Sequence, residues 1–328
     1  MKSRLVGGVA AVVIVAVAAL WLEPDQTVLG KLAGDAFFQG RPTRSWMRSL
    51  RGGPSDQAAA KETLQNGGPA AVPVLGAMLV QAREPEIRFT AADLLAKLGS
   101  DASPAGAALL AGAQDADPHV QAVCVAALPK AGVPSSQAVP VLMAHLKTDH
   151  LVVAARALAG YREAAAGAIP MLLEIFRDKN QPTESRWNAV RTLGKIGPAS
   201  AVAIPDLIQG FDDAEWSIRE HCAESLGEIG PAAAPSALPG MVRLLSDAVP
   251  RVRRDAVRSL GQIGGAAVEA VPEIRKLLED PEEIVRVAAQ NALEKLAPPE
   301  SSDQPGADKQ PAENRPSESG PKNKAGEN

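Results

Sequence analysis

The stretch "LGKIGPASAVAIPDLI", Leu193 to Ile208, decides the fold because the chain repeats it. It returns as "LGEIGPAAAPSALPGM" from Leu226 to Met241 and as "LGQIGGAAVEAVPEI" from Leu260 to Ile274. Working outward, a proline preceded by small or apolar residues recurs at Pro73, Pro104, Pro140, Pro170, Pro205, Pro239 and Pro272, 30 to 36 residues apart. Periods of this size mark stacked repeats rather than one globular core.

Within a unit, "EWSIREHCAESLGEIG" (215–230) places Ile218, Cys222, Leu226 and Ile229 on one helical face. Gly230 is expected to stop this first helix in the left-handed conformation, and Pro231 to discourage its continuation. "SALPGMVRLLSD" then reads as a second helix, with Pro239 in its first turn and Leu238, Met241, Leu244 and Leu245 as its apolar face. The short joint predicts an antiparallel hairpin of these two helices. One hairpin cannot bury both faces, but a stack of copies can. Aromatic residues make up only 3% of the chain, and small aliphatic side chains dominate, which suits close helix packing.

An arginine recurs near the start of the first helix. Arg88, Arg186, Arg219 and Arg253 each stand eleven residues before a glycine, and Arg286 stands eleven before Ala297. Gln121 takes the arginine's place before Gly132. The same side chain at the same repeat position predicts a ladder that braces the stack. Asp212, Asp213, Glu215, Asp247 and Asp280 are the candidate acidic partners.

The combination R-x-x-A/C-x-x-x-L-G-x-I-G followed by A-x-P-x-L resembles the HEAT-like repeats associated with phycobilin lyases, and HEAT repeats more broadly. The resemblance covers about seven repeats over residues 57–297 and is clearest at 184–297. In "HLVVAARALAGYREAAAGAIP" (150–170) the arginine is missing and the glycine displaced, so a shortened repeat is expected there. The resemblance implies an all-α, right-handed α–α superhelical solenoid of HEAT/armadillo type, with the second helices lining its concave side. The polar positions of those helices nominate Asp206, Gln209, Arg243, Ser246, Glu273, Arg275, Lys276 and Glu279 as a protein-binding surface. Lyase activity does not follow from the resemblance, because sites rather than folds carry function.

The two ends read differently. Lys2 and Arg4 precede an uncharged run from Leu5 to Leu22, about 27 Å of helix and near the thickness of a bilayer core. Residues 1–24 are therefore expected to be a membrane anchor that leaves the repeats outside the cytoplasm, in the periplasm or cell envelope. The rival is a signal peptide cleaved near "AVAAL" (16–20), which would make the protein secreted. Residues 25–56 read as a linker and a capping helix, "TRSWMRSL", capped by Thr43 or Ser45. Its aromatic residues are expected to cover the first repeat, with an aromatic partner site as the alternative. Residues 298–328, rich in Pro, Ser, Glu and Asn, read as a disordered tail.

Chemistry is sparsely signalled. His119, His145, His150 and His221 show no metal-ligand spacing, and the glycine pairs belong to no phosphate-binding motif. Cys124 and Cys222 sit in apolar helical patterns and read as buried free thiols. A net charge of -4 supplies no general attraction to nucleic acid. The expectation is a non-enzymatic scaffold or adaptor with a protein or peptide partner, a membrane attachment, and no cofactor, metal or nucleic acid. The alternatives are a passive architectural envelope component and a lyase-like accessory to a prosthetic-group enzyme.

Overall fold

The computed structural model describes residue 23 and residues 25–296. The expected anchor and tail fall outside the described residues. Among those described, no helix is long and apolar enough to cross a membrane.

The chain enters through helix α1 (Thr27–Ala33), a small hairpin of β1 (Phe37–Phe38) and β2 (Arg41–Pro42), and α2 (Thr43–Arg51). The hairpin turns on Gln39 and Gly40, both with positive φ. Trp46 is 1% exposed, packs 5.6 Å from Phe38, and donates Nε1–H to the Phe38 carbonyl. Arg41 lies over the same indole at 4.1 Å. These aromatics are thus consumed as an end cover rather than displayed. The expected capping of α2 is not seen. Its N-cap is Pro42, Thr43 Oγ1 donates to the Ala36 carbonyl, and the Ser45 hydroxyl accepts from Arg41.

After α3 (Pro54–Asn66) come seven helix pairs, among the described residues: α4 and α5 (Val72–Gln81, Pro85–Leu98), α6 and α7 (Gly106–Gly112, Pro118–Ala127), α8 and α9 (Ser135–His145, Leu151–Ala159), α10 and α11 (Ile169–Arg177, Thr183–Ile196), α12 and α13 (Ile204–Gln209, Trp216–Ile229), α14 and α15 (Ala234–Leu244, Pro250–Ile263), and α16 and α17 (Val271–Lys276, Glu283–Leu296). In the row of helices that carries the arginine, α7 and α9 are 10 and 9 residues long where the other five are 14, and both fall where the repeat pattern fades. At the position of the missing glycine stands Arg162, with φ 49.

The hairpin frame differs from the sequence reading by one helix. The helix that begins at the recurrent proline packs on the following helix, the one carrying the arginine and the L-G-x-I-G run. The first and second helices of the sequence reading, such as α13 and α14, are instead separated by 3-10 turns and touch little directly. The reason is local. Gly230 takes φ 87 with ψ -152, which is not the left-handed helical region but an extended one that only glycine enters cheaply, so the chain leaves α13 at an angle. The true hairpin turn lies at the aspartate. Asp213 Oδ1 accepts the Glu215 N–H, Asp247 Oδ1 the Val249 N–H, and Asp280 Oδ1 the Glu282 N–H. Pro73, Pro170, Pro205 and Pro272 stand in the first turn of their helices. Pro239 does not: it lies inside α14, whose first turn holds Pro235 instead.

The arginine ladder fastens these turns. Arg219 Nε and Nη2 donate to Asp247 of the next repeat at 2.8 and 3.1 Å, while its Nη1 donates to the Asp213 carbonyl at 2.8 Å. Arg253 does the same with Asp280 and with the Asp247 carbonyl. Arg88 grips Asp115, Arg186 grips Asp213, and Arg286 ends the series on the Asp280 and Pro281 carbonyls. Gln121 copies the carbonyl half of the contact, donating to Asp115 at 2.6 Å. Of the expected acids, Asp213, Asp247 and Asp280 join the ladder. Asp212 instead meets Arg243 at the surface, and Glu215 supplies a backbone N–H. Burial alone would raise the Asp213 carboxyl, but Arg186 and Lys179 hold it down to about 2.

Successive arginine-bearing helices pack along their length. Glycine makes this possible: a Cβ at Gly227 would stand 2.6 Å from Ser259 Cβ, and one at Gly194 would stand 2.7 Å from Ser225 Cα. The proline-led helices are wedged apart by aromatic rings. Phe176 sits against Gly210, and Phe211 against Gly240. A stack that closes along one row and is held open along the other bends toward the closed row. The arginine-bearing helices are the more closely packed row, taken as the inner side of the stack.

Candidate functional site

The eight residues nominated from the sequence lie on or just beyond α12, α14 and α16, in the wedged-open row. Asp206 is held by Arg177 at 2.6 and 2.8 Å, Arg243 by Asp212 at 2.9 Å, and Glu273 by Lys276 at 2.7 Å. Gln209, Ser246, Arg275 and Glu279 are exposed on the same outer side. The frame slip puts the nominated residues on the first helix of each observed hairpin, while the second carries the L-G-x-I-G run.

Three cavities open on that inner row. The largest, about 680 Å³, lies where α5 meets α2 and α3, with the exposed ring of Phe89 beside Ile87, Arg51, Lys61 and His119. A second, about 250 Å³, lies between α9 and α11 and is lined by Arg156, Gly160, Asn188, Arg191, Thr192 and Lys195. A third, about 370 Å³, lies between α15 and α17, with Ile284, Val287 and Ala288 beside Arg254, Arg258 and Lys295. None of the three is lined by the eight nominated residues.

The row is banded by charge, and helical spacing creates the bands. Glu220, Glu224 and Glu228 recur every four residues on α13, and Arg251, Arg254 and Arg258 every three or four on α15. Arg251 Nε and Arg254 Nη2 reach Glu220 at 3.0 and 3.2 Å, and Arg258 reaches Glu224 at 3.3 Å. From the other side Lys195 pairs with Glu228 and approaches Glu224 at 3.7 Å. His221 Nδ1 lies 3.1 Å from Glu224, and with Lys195 and Arg258 nearby it holds that carboxyl down to about 2 despite burial. Glu220 shifts the other way: it is 1% exposed, and desolvation pushes its carboxyl up. An aromatic step crosses the bands. Trp187 lies 4.8 Å from His221, and the Arg156 guanidinium stands 5.7 Å from the indole centre. No sequence signal marked Trp187 or Arg191, because they are defined by an alignment between helices rather than by a motif.

Cys124, Cys222, His145 and His150 lie elsewhere. Cys124 and Cys222 are sealed in the core. Burial pushes the Cys124 thiol up to about 12, and the Cys222 thiol higher still. Reactive thiols sit in electropositive, accessible surroundings, which these are not. His145 and His150, five apart in sequence, are brought within 5.8 Å across the α8–α9 turn, with His145 buried against the Ala113 carbonyl. Among the described residues no group of three or more His, Cys, Asp or Glu side chains could hold a metal ion.

Comparison with known proteins agrees with the repeat architecture. The family model for HEAT repeats matches residues 204–294, and that for the PBS lyase HEAT-like repeat matches residues 185–213. Mouse serine/threonine-protein kinase 36 is 33% identical over 87 residues, a match that covers 25% of this chain and 7% of the kinase. Among solved structures, an engineered protein aligns with a TM-score of 0.42 and 23% identity, covering 69% of this chain and 96% of its own. The complex of CpcE and CpcF of phycocyanin lyase from Nostoc sp. PCC7120 aligns with a TM-score of 0.40 and 24% identity, covering 48% of this chain and 99% of that one. Residues 185–294, where proline-led and arginine-bearing helices stack in register, match the HEAT-repeat family models.

Proposed function

We propose that this protein is a non-enzymatic adaptor that binds a protein partner along the inner row of arginine-bearing helices. The observation that carries this reading is the convergence of three cavities, an aromatic step and exposed Val287 and Phe89 on one row. Apolar anchors within a polar, hydrogen-bonding rim are what protein interfaces use. Mixed charge along the row suits a protein rather than a nucleic-acid backbone. The sealed thiols offer no nucleophile. The reading also places the adaptor at the cell envelope; what supports this is the basic Lys2–Arg4 flank before the apolar run to Leu22.

The test is partner recovery from cells. The pair Val287→Asp and Gln262→Arg alters two exposed positions on the inner row. The set Arg243→Glu, Arg275→Glu and Lys276→Glu reverses the outer one. The expected result is loss of recovery for the inner pair alone, with both proteins folded by circular dichroism. Loss confined to the outer set would overturn the proposal. Intact-mass measurement of the native chain tests the anchor: a start beyond about residue 19 would remove it.

A further inference from the structure

Resting on the adaptor reading, we propose that the cavity between α9 and α11 takes an acidic side chain, Asp or Glu, from an extended segment of the protein partner. Three cations line this cavity of about 250 Å³, Arg156, Arg191 and Lys195, and no acidic residue lines it. In a chain of net charge -4 that is a local exception. The three are not equally available. Lys195 is already neutralised by Glu228 and Glu224. Arg156 donates Nε–H to Asn188 Oδ1 at 3.0 Å and Nη2–H to the exposed Glu184 at 3.2 Å, which leaves its Nη1 face open. Arg191 is exposed and has no protein counter-ion among the described residues.

The cavity therefore carries about one uncompensated positive charge, presented by planar forks that match a carboxylate. A dianionic phosphate fits less well. Its second charge would face the Glu224 and Glu228 carboxylates that already hold Lys195. Asn188 is 1% exposed and its Nδ2 is tied to the Glu184 carbonyl, so the wall that orients Arg156 is fixed before any ligand arrives. Trp187 lies 5.7 Å from the guanidinium of the cavity-lining Arg156 and 4.8 Å from His221, so a ligand that engages Arg156 changes the surroundings of this indole.

The experiment titrates the full chain with a capped hexapeptide of alternating Glu and Gly. The same peptide with Gln for Glu, and inorganic phosphate, serve as comparison ligands. Calorimetry and indole fluorescence are the readouts. The Glu peptide is expected to bind saturably and more tightly than the Gln peptide or phosphate, and to weaken with added salt. Arg191→Gln is expected to weaken it about tenfold, the worth of one charge-assisted contact. Arg156→Gln should act in the same direction, and Arg243→Gln should leave binding unchanged. Equal binding of Glu and Gln peptides, tighter binding of phosphate, or an unaltered Arg191→Gln would each overturn the inference. If Arg191→Gln still recovers the cellular partner through the inner row, the acidic-segment inference fails while the adaptor reading stands.

Discussion

Replacing Arg219 by alanine tests how the stack is held together. The guanidinium makes two charge-assisted bonds to Asp247 and two to the Asp213 and Ala214 carbonyls. Both side chains are largely buried, 16% and 9% exposed. Truncation strands the Asp247 carboxylate, which keeps only the Val249 N–H. Breaking one partner of a buried, hydrogen-bonded pair costs about 3 kcal/mol, most of it the penalty on the ion left behind. Arg243→Ala is the control: that pair with Asp212 is 62% and 71% exposed, and such pairs are worth at most about 1 kcal/mol. The loss also carries a pH signature. In the native protein burial would raise Asp247, but Arg219 and the Val249 N–H hold it below its ordinary value. Its contribution is thus complete above about pH 4 and is lost as pH falls through the folded pKa. Without Arg219, only the Val249 N–H and the charge of Arg253 oppose burial, so the carboxyl rises and the variant recovers part of the loss by taking up a proton. The gap between the two proteins should narrow from pH 7 toward pH 4. Urea unfolding by circular dichroism, with hydrogen exchange across α13 and α15, measures both effects. An Arg219→Ala shift no larger than that of Arg243→Ala, or a gap that does not change with pH, would refute the reasoning.

Other consequences can be measured the same way. Gly227→Ala forces a methyl to within 2.6 Å of Ser259 and should destabilise by about 1 to 3 kcal/mol, seen as faster exchange on both sides of that interface. Ser259→Gly should relieve part of that loss; no relief would mean that the helices do not meet there. Arg162→Gly places glycine at a position with φ 49, where other repeats already have one, and should raise stability by about 0.5 kcal/mol, read as a higher urea midpoint. In wild type, Asp115 and Asp280 are lowered by Arg88 and Arg253, and Asp213 by Arg186 and Lys179 against the opposing effect of burial. Their stabilisation is present above about pH 4 and is lost as pH falls toward 2, so acid should loosen the ladder. A stability profile flat from pH 5 to pH 2 would contradict it.

Much of this was legible in the sequence for a physical reason: each helix announces itself by its apolar spacing. Ile218, Cys222, Leu226 and Ile229 were placed on one face and are all buried. The Arg219 ladder was visible because one side chain recurs at one position, and even the Gln121 substitution kept its contact with the Asp115 carbonyl. What did not show was which neighbours form a hairpin. The L-G-x-I-G-P run looks like a tight joint, but its glycine adopts φ 87 and ψ -152 and steers the chain away. The Asp-centred turns that close the real hairpins look like ordinary polar loops. That one-helix slip put the nominated residues on the proline-led row rather than on the row that carries the L-G-x-I-G run. The inner cavities also depend on Phe176 and Phe211 as wedges, and a wedge is a property of three helices at once.

The central claim is that the partner lies on the inner row, and site-directed photocrosslinking addresses it most directly. A photoreactive residue at position 187, 258 or 287 would sit on that row, and one at 209, 243 or 275 on the outer side. The account predicts partner crosslinks from the first three positions and background from the others. Strong crosslinks from the outer positions, with the inner three silent in folded protein, would contradict it.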